Sequence, residues 1–420
     1  MKNSNGLDEN SRRLAIEGGN PGIIAPLPTW PLFEPDEIEA VSAVLRSGRV
    51  NYWTGNLCRD FERAFSEFVG TQYGVAVANG TLALELAFRA LGVGSGDDVV
   101  TTPRSFYATI TSILAVGARP VFADVDRDSG NLTPETVEAA LTTRTKAIVA
   151  VHIGGWPCDM RALRALAESL GLLLIEDCAQ AHGGMIGGRM VGSWGHAAAF
   201  SFCQDKIVTT GGEGGMLLLS DEETWKRAWS YKDHGKSHEA LCQHEFAPGY
   251  RWLHVGEGSN WRMTEMQAAI GLCQLRKLPD WLHARRKNAQ HMLSRFCNLP
   301  NLRVPRPNPD TLHAYYRVYT YVRPETLAPN WTRDRIIDAI MAEGVPCQVG
   351  SCPELYLEAG VRNRGLAPSE RLPIAKELGE TSLSFLCHPN LNEETIEATC
   401  CVVAKVFNSA STHPLSLRSH

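Results

Sequence analysis

The fold of this chain is decided by residues 73–125, YGVAVANGTLALELAFRALGVGSGDDVVTTPRSFYATITSILAVGARPVFADV. The apolar runs YGVAVAN, DDVVTTP and RPVFADV are typical of short buried strands. Between them, TLALELAFRALGVG and YATITSILAVG have the length of helices, and each ends in glycine. Short apolar strands separated by helices of about 10–15 residues indicate a mostly parallel sheet with helices on both faces.

The same alternation extends in both directions along the chain. Two amphipathic helices, FEPDEIEAVSAVLRSG and FERAFSEFVG, precede it. After it come strand and helix patterns in the order TPETVEAAL, KAIVAVHI, DMRALRALAESLG, LLLIED, HAAAFSF and GGMLLLS. Together these segments predict an α/β fold with a large, mostly parallel, seven-stranded sheet.

The regular alternation of short strands and helices ends after about residue 275. A long polar helix (LPDWLHARRKNAQHMLSRFCNL), a strand-like run (HAYYRVYTYVRP) and two later helices (RDRIIDAIMAEG, NEETIEATCCVVAKVF) predict a smaller α+β domain. We therefore expect an N-terminal arm over 1–35, a large domain over 36–275, a small domain over 276–412 and a frayed tail over 413–420.

The composition excludes several classes of protein. With 420 residues, a formal charge of −5 and a pI near 6.2, the chain lacks the basic excess of a nucleic-acid binder. It has no apolar run long enough to cross a bilayer and no apolar signal segment, so we expect no membrane partner and a cytoplasmic location. The 12 cysteines are scattered without a C-x-x-C pair, which favours reduced, mostly buried thiols over a zinc or disulfide framework.

Ligands of such sheets bind at the carboxyl ends of the strands, so the residues that follow each strand matter. Asn79-Gly80-Thr81 follows YGVAVA and opens a helix, whose free N–H groups attract an anion such as phosphate. The alternative for these three residues is an ordinary helix cap that binds no ligand. Asp177 closes LLLIE, where a buried acid needs a cation or a donor such as a protonated pyridine nitrogen. A helix-capping aspartate is the alternative.

A third strand end supplies an amine. Lys206 follows HAAAFSF in a mostly uncharged stretch and precedes the glycine-rich run 211–215. Desolvation there would favour a neutral, nucleophilic amine that can form an imine, although an ordinary solvated lysine fits the segment when it is read alone. A phosphate cradle, a ring-nitrogen acid and an amine nucleophile are together the parts of a pyridoxal phosphate site.

Three motifs in order, IEDCAQAHG, SFCQDKIVTTGGEGGM and GSNWRMTEMQAAIG, resemble the DegT/DnrJ/EryC1/StrS family of sugar aminotransferases over about residues 25–405. The resemblance implies the fold type I architecture of aspartate aminotransferase and pyridoxal 5'-phosphate as cofactor. It also implies a homodimer with shared active sites. Two motifs depart from the family pattern: Ser105-Phe106 replaces the usual threonine and aromatic pair, and Cys203-Gln204-Asp205 replaces versions with histidine or proline.

Carried over position by position, Lys206 matches the family's Schiff-base lysine and Asp177 the acid on the pyridine nitrogen. The other positions that match cofactor contacts are Gln180 at the phenolic oxygen, Gly80, Thr81 and Ser201 at the phosphate, Phe106 over the ring, and Asn260 at the partner subunit's phosphate. Core packing is the alternative for Phe106. The positions expected to face the substrate, with surface polarity as the alternative, are His234, Lys236, Arg262, His313 and Tyr316.

The resemblance implies transfer of an amino group from glutamate or glutamine to a keto-sugar, with a nucleotide-linked keto-hexose as the first expectation. An inosose aminotransferase is the alternative, since NYWTG and the lysine motif are also similar to those enzymes. Dehydratase relatives have histidine in place of the lysine, so Lys206 selects the aminotransferase. A non-catalytic cofactor-binding regulator is a third possibility, but it would be expected to have lost Lys206 or Asp177.

Overall fold

A seven-stranded sheet forms the centre of the computed structural model, which describes residues 13–242 and 250–412. The strands of the described chain are β1 (Tyr73–Val77), β2 (Asp98–Thr101), β3 (Arg119–Phe122), β4 (Thr145–Val151), β5 (Leu173–Asp177), β6 (Met185–Ile186), β7 (Arg189–Met190), β8 (Ala197–Ser201), β9 (Gly215–Leu219), β10 (Leu302–Arg303), β11 (Thr311–Leu312), β12 (Val318–Val322), β13 (Cys347–Gln348) and β14 (Ser382–Phe385).

The large sheet has the order β1-β9-β8-β5-β4-β2-β3. The pairs from β8 to β3 are parallel, whereas β9 runs antiparallel to both β8 and β1. The carboxyl ends of β1, β8 and β5 therefore lie at one edge of the sheet, together with the start of β9. All seven strands predicted from the sequence are confirmed.

The described chain has helices on both faces of this sheet and further helices in its later part. They are α1 (Pro35–Ser47), α2 (Leu57–Val69), α3 (Gly80–Ala90), α4 (Ala108–Ala115), α5 (Pro134–Ala140), α6 (Met160–Leu170), α7 (Glu222–Lys232), α8 (His238–Cys242), α9 (Glu265–Phe296), α10 (Arg333–Ala342), α11 (Ala359–Arg362), α12 (Pro373–Thr381) and α13 (Glu393–Ala410). Alternate residues of β8 point to opposite faces, with Ala198 and Phe200 packed beside α2 and α9 and Ala197 and Ala199 beside α3.

The later part of the chain builds a second core around a four-stranded antiparallel sheet, β10-β12-β14-β13. Helices α10 and α13 pack on it, together with the second half of α9. Helix α9 begins at Glu265 rather than at the predicted LPDW segment, because Thr264 and Gln267 form a capping box ahead of it. The predicted domain boundary at 275 and 276 thus falls within one helix that contributes to both cores.

Two other expectations need adjustment. The strand-like run from His313 is extended only over β12, because Tyr315 has a positive φ of 50° that breaks the extended backbone. Residues 1–12 of the predicted arm and the predicted tail 413–420 lie outside the described residues. Within the described part of the chain, no helix is both long and apolar enough to span a bilayer.

Candidate active site

The chain segments that carry the predicted cofactor contacts Asp177, Ser201, Gly80, Thr81 and Lys206 come together at the carboxyl edge of the large sheet. Asp177 is the last residue of β5, Ser201 is the last residue of β8, and Asn79 to Thr81 connect β1 to α3. The link between β8 and β9 carries Lys206 at the same edge. The sheet topology alone brings these segments together, as the parallel strand order predicts.

The Asp177 carboxylate is buried, with only 5% of the residue exposed. Its Oδ2 accepts a hydrogen bond from the Thr109 hydroxyl at 3.0 Å, and its Oδ1 accepts one from the Ala179 N–H at 3.2 Å. Burial raises the pKa of Asp177 despite these two donors. Since no ion pair to Asp177 exists within residues 13–242 and 250–412, a cationic ring nitrogen is the partner that its chemistry suits.

Lys206 is mostly buried but does not stand in an uncharged environment. Its Nζ lies 2.9 Å from Asp205 Oδ1 and 5.1 Å from the centroid of the Tyr316 ring. Burial acts to lower the pKa of Lys206, but Tyr316 and the Asp205 carboxylate outweigh it, so the pKa is raised. The expectation that desolvation keeps this amine neutral is therefore wrong, because the preceding residue brings a carboxylate with it.

The turn after β1 fits closely against the end of β8. A Cβ at Gly80 would lie 2.6 Å from the Cβ of Ser201, and one at Gly215 would lie 2.3 Å from the backbone oxygen of Asn79. Asn79 caps α3 by accepting a hydrogen bond from the Leu82 N–H at 3.0 Å. The glycines bring the helix N-terminus and the Ser201 hydroxyl close to each other, which suits a phosphate group.

Gly80→Ala is expected to push these two segments apart. Overpacking of this kind costs about 1–3 kcal/mol, so the dissociation constant for pyridoxal phosphate should rise about tenfold or more. Equilibrium titration of the cofactor measures the change. Gly94→Ala is the matched control, because its added Cβ meets only the Val116 oxygen at an ordinary 3.5 Å. Equal affinity in the two variants would contradict a phosphate cradle at Gly80.

Gln180 is held at both ends of its amide. Its Oε1 accepts a hydrogen bond from the Gly154 N–H at 2.7 Å, and its Nε2 donates one to Ser351 Oγ at 3.1 Å. The Ser351 N–H in turn donates to the Tyr319 hydroxyl at 2.8 Å. Residues far apart in the chain thus fix the orientation of a side chain that lies one turn beyond Asp177.

Phe106 and Asn260 are both exposed. Phe106 is 71% exposed, so the alternative of core packing for this ring is wrong. The strand-like segment that contains Asn260 runs beside β1, with the Ala78 N–H donating to the Trp261 oxygen at 2.9 Å. In the same loop, Trp252 is 87% exposed, which is unusual for a large apolar side chain.

The predicted substrate-side residues are not all placed alike. His234 is exposed and adopts a positive φ of 60°. Asp233 accepts ion-pair hydrogen bonds from Arg262 at 2.6 Å and from Lys236 at 2.9 Å. His234 and Lys236 lie in the turn after α7, and Arg262, which lies just before α9, joins them through Asp233. His313 and Tyr316 lie in the segment before β12.

His313 and Tyr316 differ from one another in what they can do. His313 is buried, stacks on Tyr315 at 3.9 Å, and its Nδ1 accepts a hydrogen bond from the Tyr315 N–H at 2.7 Å. Burial lowers the pKa of His313 to about 3, so its ring is neutral at physiological pH. Tyr316 instead reaches the lysine segment, where its hydroxyl donates a short hydrogen bond to Asp205.

The sequence does not reveal two side chains, Thr109 and Ser351, or the contact of Asp205 with Tyr316. Thr109 lies in the first turn of α4, and its distance from Asp177 along the chain hides the contact. Asp205 carried a visible signal, since a carboxylate directly before a candidate amine nucleophile must influence its charge. Ser351 has no such signal, because it belongs to a loop of the second core.

The comparisons with known proteins agree with this geometry. Residues 31–406 match the model of the DegT/DnrJ/EryC1/StrS aminotransferase family. The chain belongs to this family. An aminotransferase from Psychrobacter cryohalolentis has a crystal structure that is 52% identical in sequence, with a TM-score of 0.90 over 92% of this chain and 100% of that one. The predicted fold type I architecture is thereby confirmed.

Two curated relatives of the DegT/DnrJ/EryC1/StrS family have named activities. GDP-perosamine synthase of Escherichia coli O157:H7 is 33% identical over 88% of this chain and 96% of the relative. The L-glutamine:2-deoxy-scyllo-inosose aminotransferase of Streptoalloteichus tenebrarius is 34% identical over 94% of this chain and 97% of the relative. The protein is accordingly an aminotransferase that depends on pyridoxal phosphate, as the sequence predicts.

Proposed function

We propose that this aminotransferase moves an amino group from glutamate or glutamine to the ketone carbon of a sugar. The observation that carries the proposal is that Asp177 and Lys206 lie at the same edge of the sheet. Asp177 is a buried carboxylate without an ion partner in the described residues, and the Lys206 amine is hydrogen-bonded to Asp205 instead. Retention of both side chains argues against a non-catalytic regulator. Retention of the lysine argues against the dehydratase chemistry of relatives with histidine.

In this proposal each residue has a separate task. Lys206 would hold the cofactor through its aldehyde carbon, Asp177 would keep the ring nitrogen protonated, and Gln180 would contact the phenolic oxygen. Gly80, Thr81 and Ser201 would hold the phosphate. Bound pyridoxal phosphate supplies an electron sink for the charge left when a C–H bond of the amino acid breaks.

The proton at the reacting carbon is the task of Lys206. With the donor amino acid bound, the free Lys206 Nζ would remove the proton from the donor's α-carbon as a general base. In the second half of the reaction it would deliver a proton to the sugar carbon as a general acid. Tyr316 before β12, His234 in the turn after α7 and Arg262 just before α9 are proposed to contact the substrates.

A homodimer with shared sites is part of the proposal. Asn260 would reach the phosphate of the partner subunit, and the exposed Phe106 would lie over the cofactor ring. Support comes from large apolar side chains that the described chain leaves exposed, namely Phe106 and, in the loop before α9, Tyr250, Trp252 and Val255. Such a group of apolar side chains is typical of a surface that another subunit covers.

For the acceptor, a nucleotide-linked keto-hexose remains the first candidate and an inosose the second. Similarity to GDP-perosamine synthase supports the first, and similarity to the 2-deoxy-scyllo-inosose aminotransferase supports the second. The protein should be loaded with pyridoxamine phosphate and offered both classes, with amine products detected by mass. We expect turnover of at least one nucleotide-linked keto-hexose. Turnover of inososes alone would select the second candidate, and amination of neither class would contradict the proposal.

A further inference from the structure

Asp205 lies between the Lys206 amine and the Tyr316 hydroxyl. One carboxylate oxygen, Oδ1, is 2.9 Å from Lys206 Nζ, and the other accepts the short hydrogen bond from Tyr316. The tyrosine follows the positive-φ residue Tyr315, in the segment that leads into β12. The contact therefore joins the lysine loop to the chain segment before β12, and it fixes both oxygens of one carboxylate.

The lysine main chain is fixed as well. The indole N–H of Trp30 donates a hydrogen bond to the Lys206 backbone oxygen at 2.8 Å. Trp30, Asp205 and Tyr316 line a cavity of about 450 Å³ that also contains Arg285 and Arg317. With its backbone and its amine both held, Lys206 has a defined position beside this cavity.

The charged groups around the Lys206 amine come from several elements. Asp205 and Cys203 belong to its own loop, while Asp177 ends β5 and the neutral His182 follows it in the chain. Tyr316 and Arg317 face it from the segment before β12, and Arg285 of α9 lies behind them. Among these groups, Asp205 is the one whose carboxylate touches Nζ.

We propose that Asp205, held by Tyr316, is a positioning residue that keeps the Lys206 amine as an ammonium in a fixed position whenever no carbonyl carbon is bonded to it. The proposal rests on the proposed function, since it assigns this task to the amine that captures the cofactor. Burial acts to raise the pKa of Asp205, but the Lys206 ammonium and the Tyr316 hydroxyl outweigh it and lower that pKa. Both partners thus favour their charged forms.

This arrangement sets a condition on cofactor capture. The ammonium must first release one proton to solvent; the neutral nitrogen then bonds the aldehyde carbon, and the aldehyde oxygen leaves as water. No oxidant or reductant takes part. Because Asp205 holds the proton on Lys206, the rate of capture should rise with pH until the amine is neutral, and removing the carboxylate should move that rise to lower pH.

The test follows capture itself rather than turnover. The full-length protein is freed of cofactor with hydroxylamine, mixed with pyridoxal phosphate by a brief jump to pH values between about 8 and 12, a range that spans the raised pKa of the Lys206 amine, and quenched with borohydride. Intact mass and peptide mapping then give the rate of adduct formation at Lys206. In Asp205→Asn the midpoint of the pH profile is expected to fall by about one unit, a tenfold change in the proton affinity. The plateau should also fall, because the neutral amine is no longer positioned.

Three further variants separate charge from structure. Asp205→Glu should restore the midpoint toward that of the unaltered protein, and Tyr316→Phe, which keeps the carboxylate, should lower the plateau without moving the midpoint as far as Asp205→Asn does. Asp310→Asn, which removes an exposed partner of Arg161, is the control and should change neither. If Asp205→Asn folds poorly by circular dichroism, Asp205→Ser replaces it.

The outcomes are distinguishable. A lowered plateau with an unmoved midpoint in Asp205→Asn would mean a merely structural role and would overturn the proposal, leaving the proposed function intact. Absence of any adduct at Lys206 in the unaltered protein would instead overturn the proposed function. A midpoint that falls with Asp205→Asn and returns with Asp205→Glu is the result that the geometry predicts.

Discussion

Lys206→Ala is expected to abolish amine transfer. The variant loses the nitrogen that bonds the cofactor and the group that moves the proton at the reacting carbon, so a rate loss of at least about 10⁴-fold is expected. The rate of 2-oxoglutarate formation from glutamate, or of its glutamine counterpart, measures the loss. The visible absorption of the cofactor-loaded protein should disappear as well, because no covalent bond to the protein remains.

Lys287→Ala is the matched control for this prediction. Its side chain is 62% exposed and pairs with Glu393, far from the sheet edge. Removing a surface ion pair of this kind changes stability by less than about 1 kcal/mol, so activity and absorption should be unchanged. Amine transfer that survives in Lys206→Ala would show that another group carries the chemistry.

Asp177→Asn is expected to lower the rate of amine transfer by about 10²- to 10³-fold, the usual effect of removing one preorganised electrostatic partner. The amide has the same shape but cannot hold a positive charge at the ring nitrogen. Capture of pyridoxal phosphate by Lys206 should persist, since the amine is unchanged. Single-turnover kinetics with the amino donor, together with a separate measurement of cofactor binding, distinguish the two effects.

The thermal stability of Asp177→Asn, unlike its activity, should stay close to that of the unaltered protein. Burial raises the pKa of Asp177, so the folded protein gains nothing from its charge and the amide should leave the melting temperature nearly unchanged. Asp98→Asn is the contrasting control, because Asp98 is buried in an ion pair with Arg119 at 2.5 Å and its pKa is lowered. We expect that variant to melt at a lower temperature but to keep its turnover per folded molecule.

Much of the fold followed from local patterns. The seven strands and the helices between them depend on apolar periodicity and on glycine at helix ends, which act over a few residues. Helix α9 shows where this reasoning fails, because Pro279 within the helix obscured a start that the Thr264–Gln267 capping box sets at Glu265. Strand β12 shows the same limit, since the positive φ of Tyr315 arises from tertiary packing.

In the candidate site, too, some features could be predicted from the sequence and others could not. The order of parallel strands places Asp177, Ser201 and Gly80 at one edge, so their proximity could be predicted. Contacts between segments far apart in the chain could not, because Ser351 reaches Gln180, and Tyr316 reaches Asp205, only once the chain has folded. The charge of Lys206 depends on a neighbour in the chain. Desolvation alone predicts a lowered pKa for this amine, but the adjoining Asp205 carboxylate helps to raise that pKa.

A crystal structure of the protein grown with pyridoxal phosphate tests the roles of Lys206 and Asp177 most directly. We expect continuous density between Lys206 Nζ and the aldehyde carbon, with the Asp177 carboxylate at hydrogen-bonding distance, about 2.7–2.9 Å, from the ring nitrogen on the opposite side. A cofactor bound elsewhere on the protein, or one whose ring nitrogen points away from Asp177, would contradict the roles given to both residues.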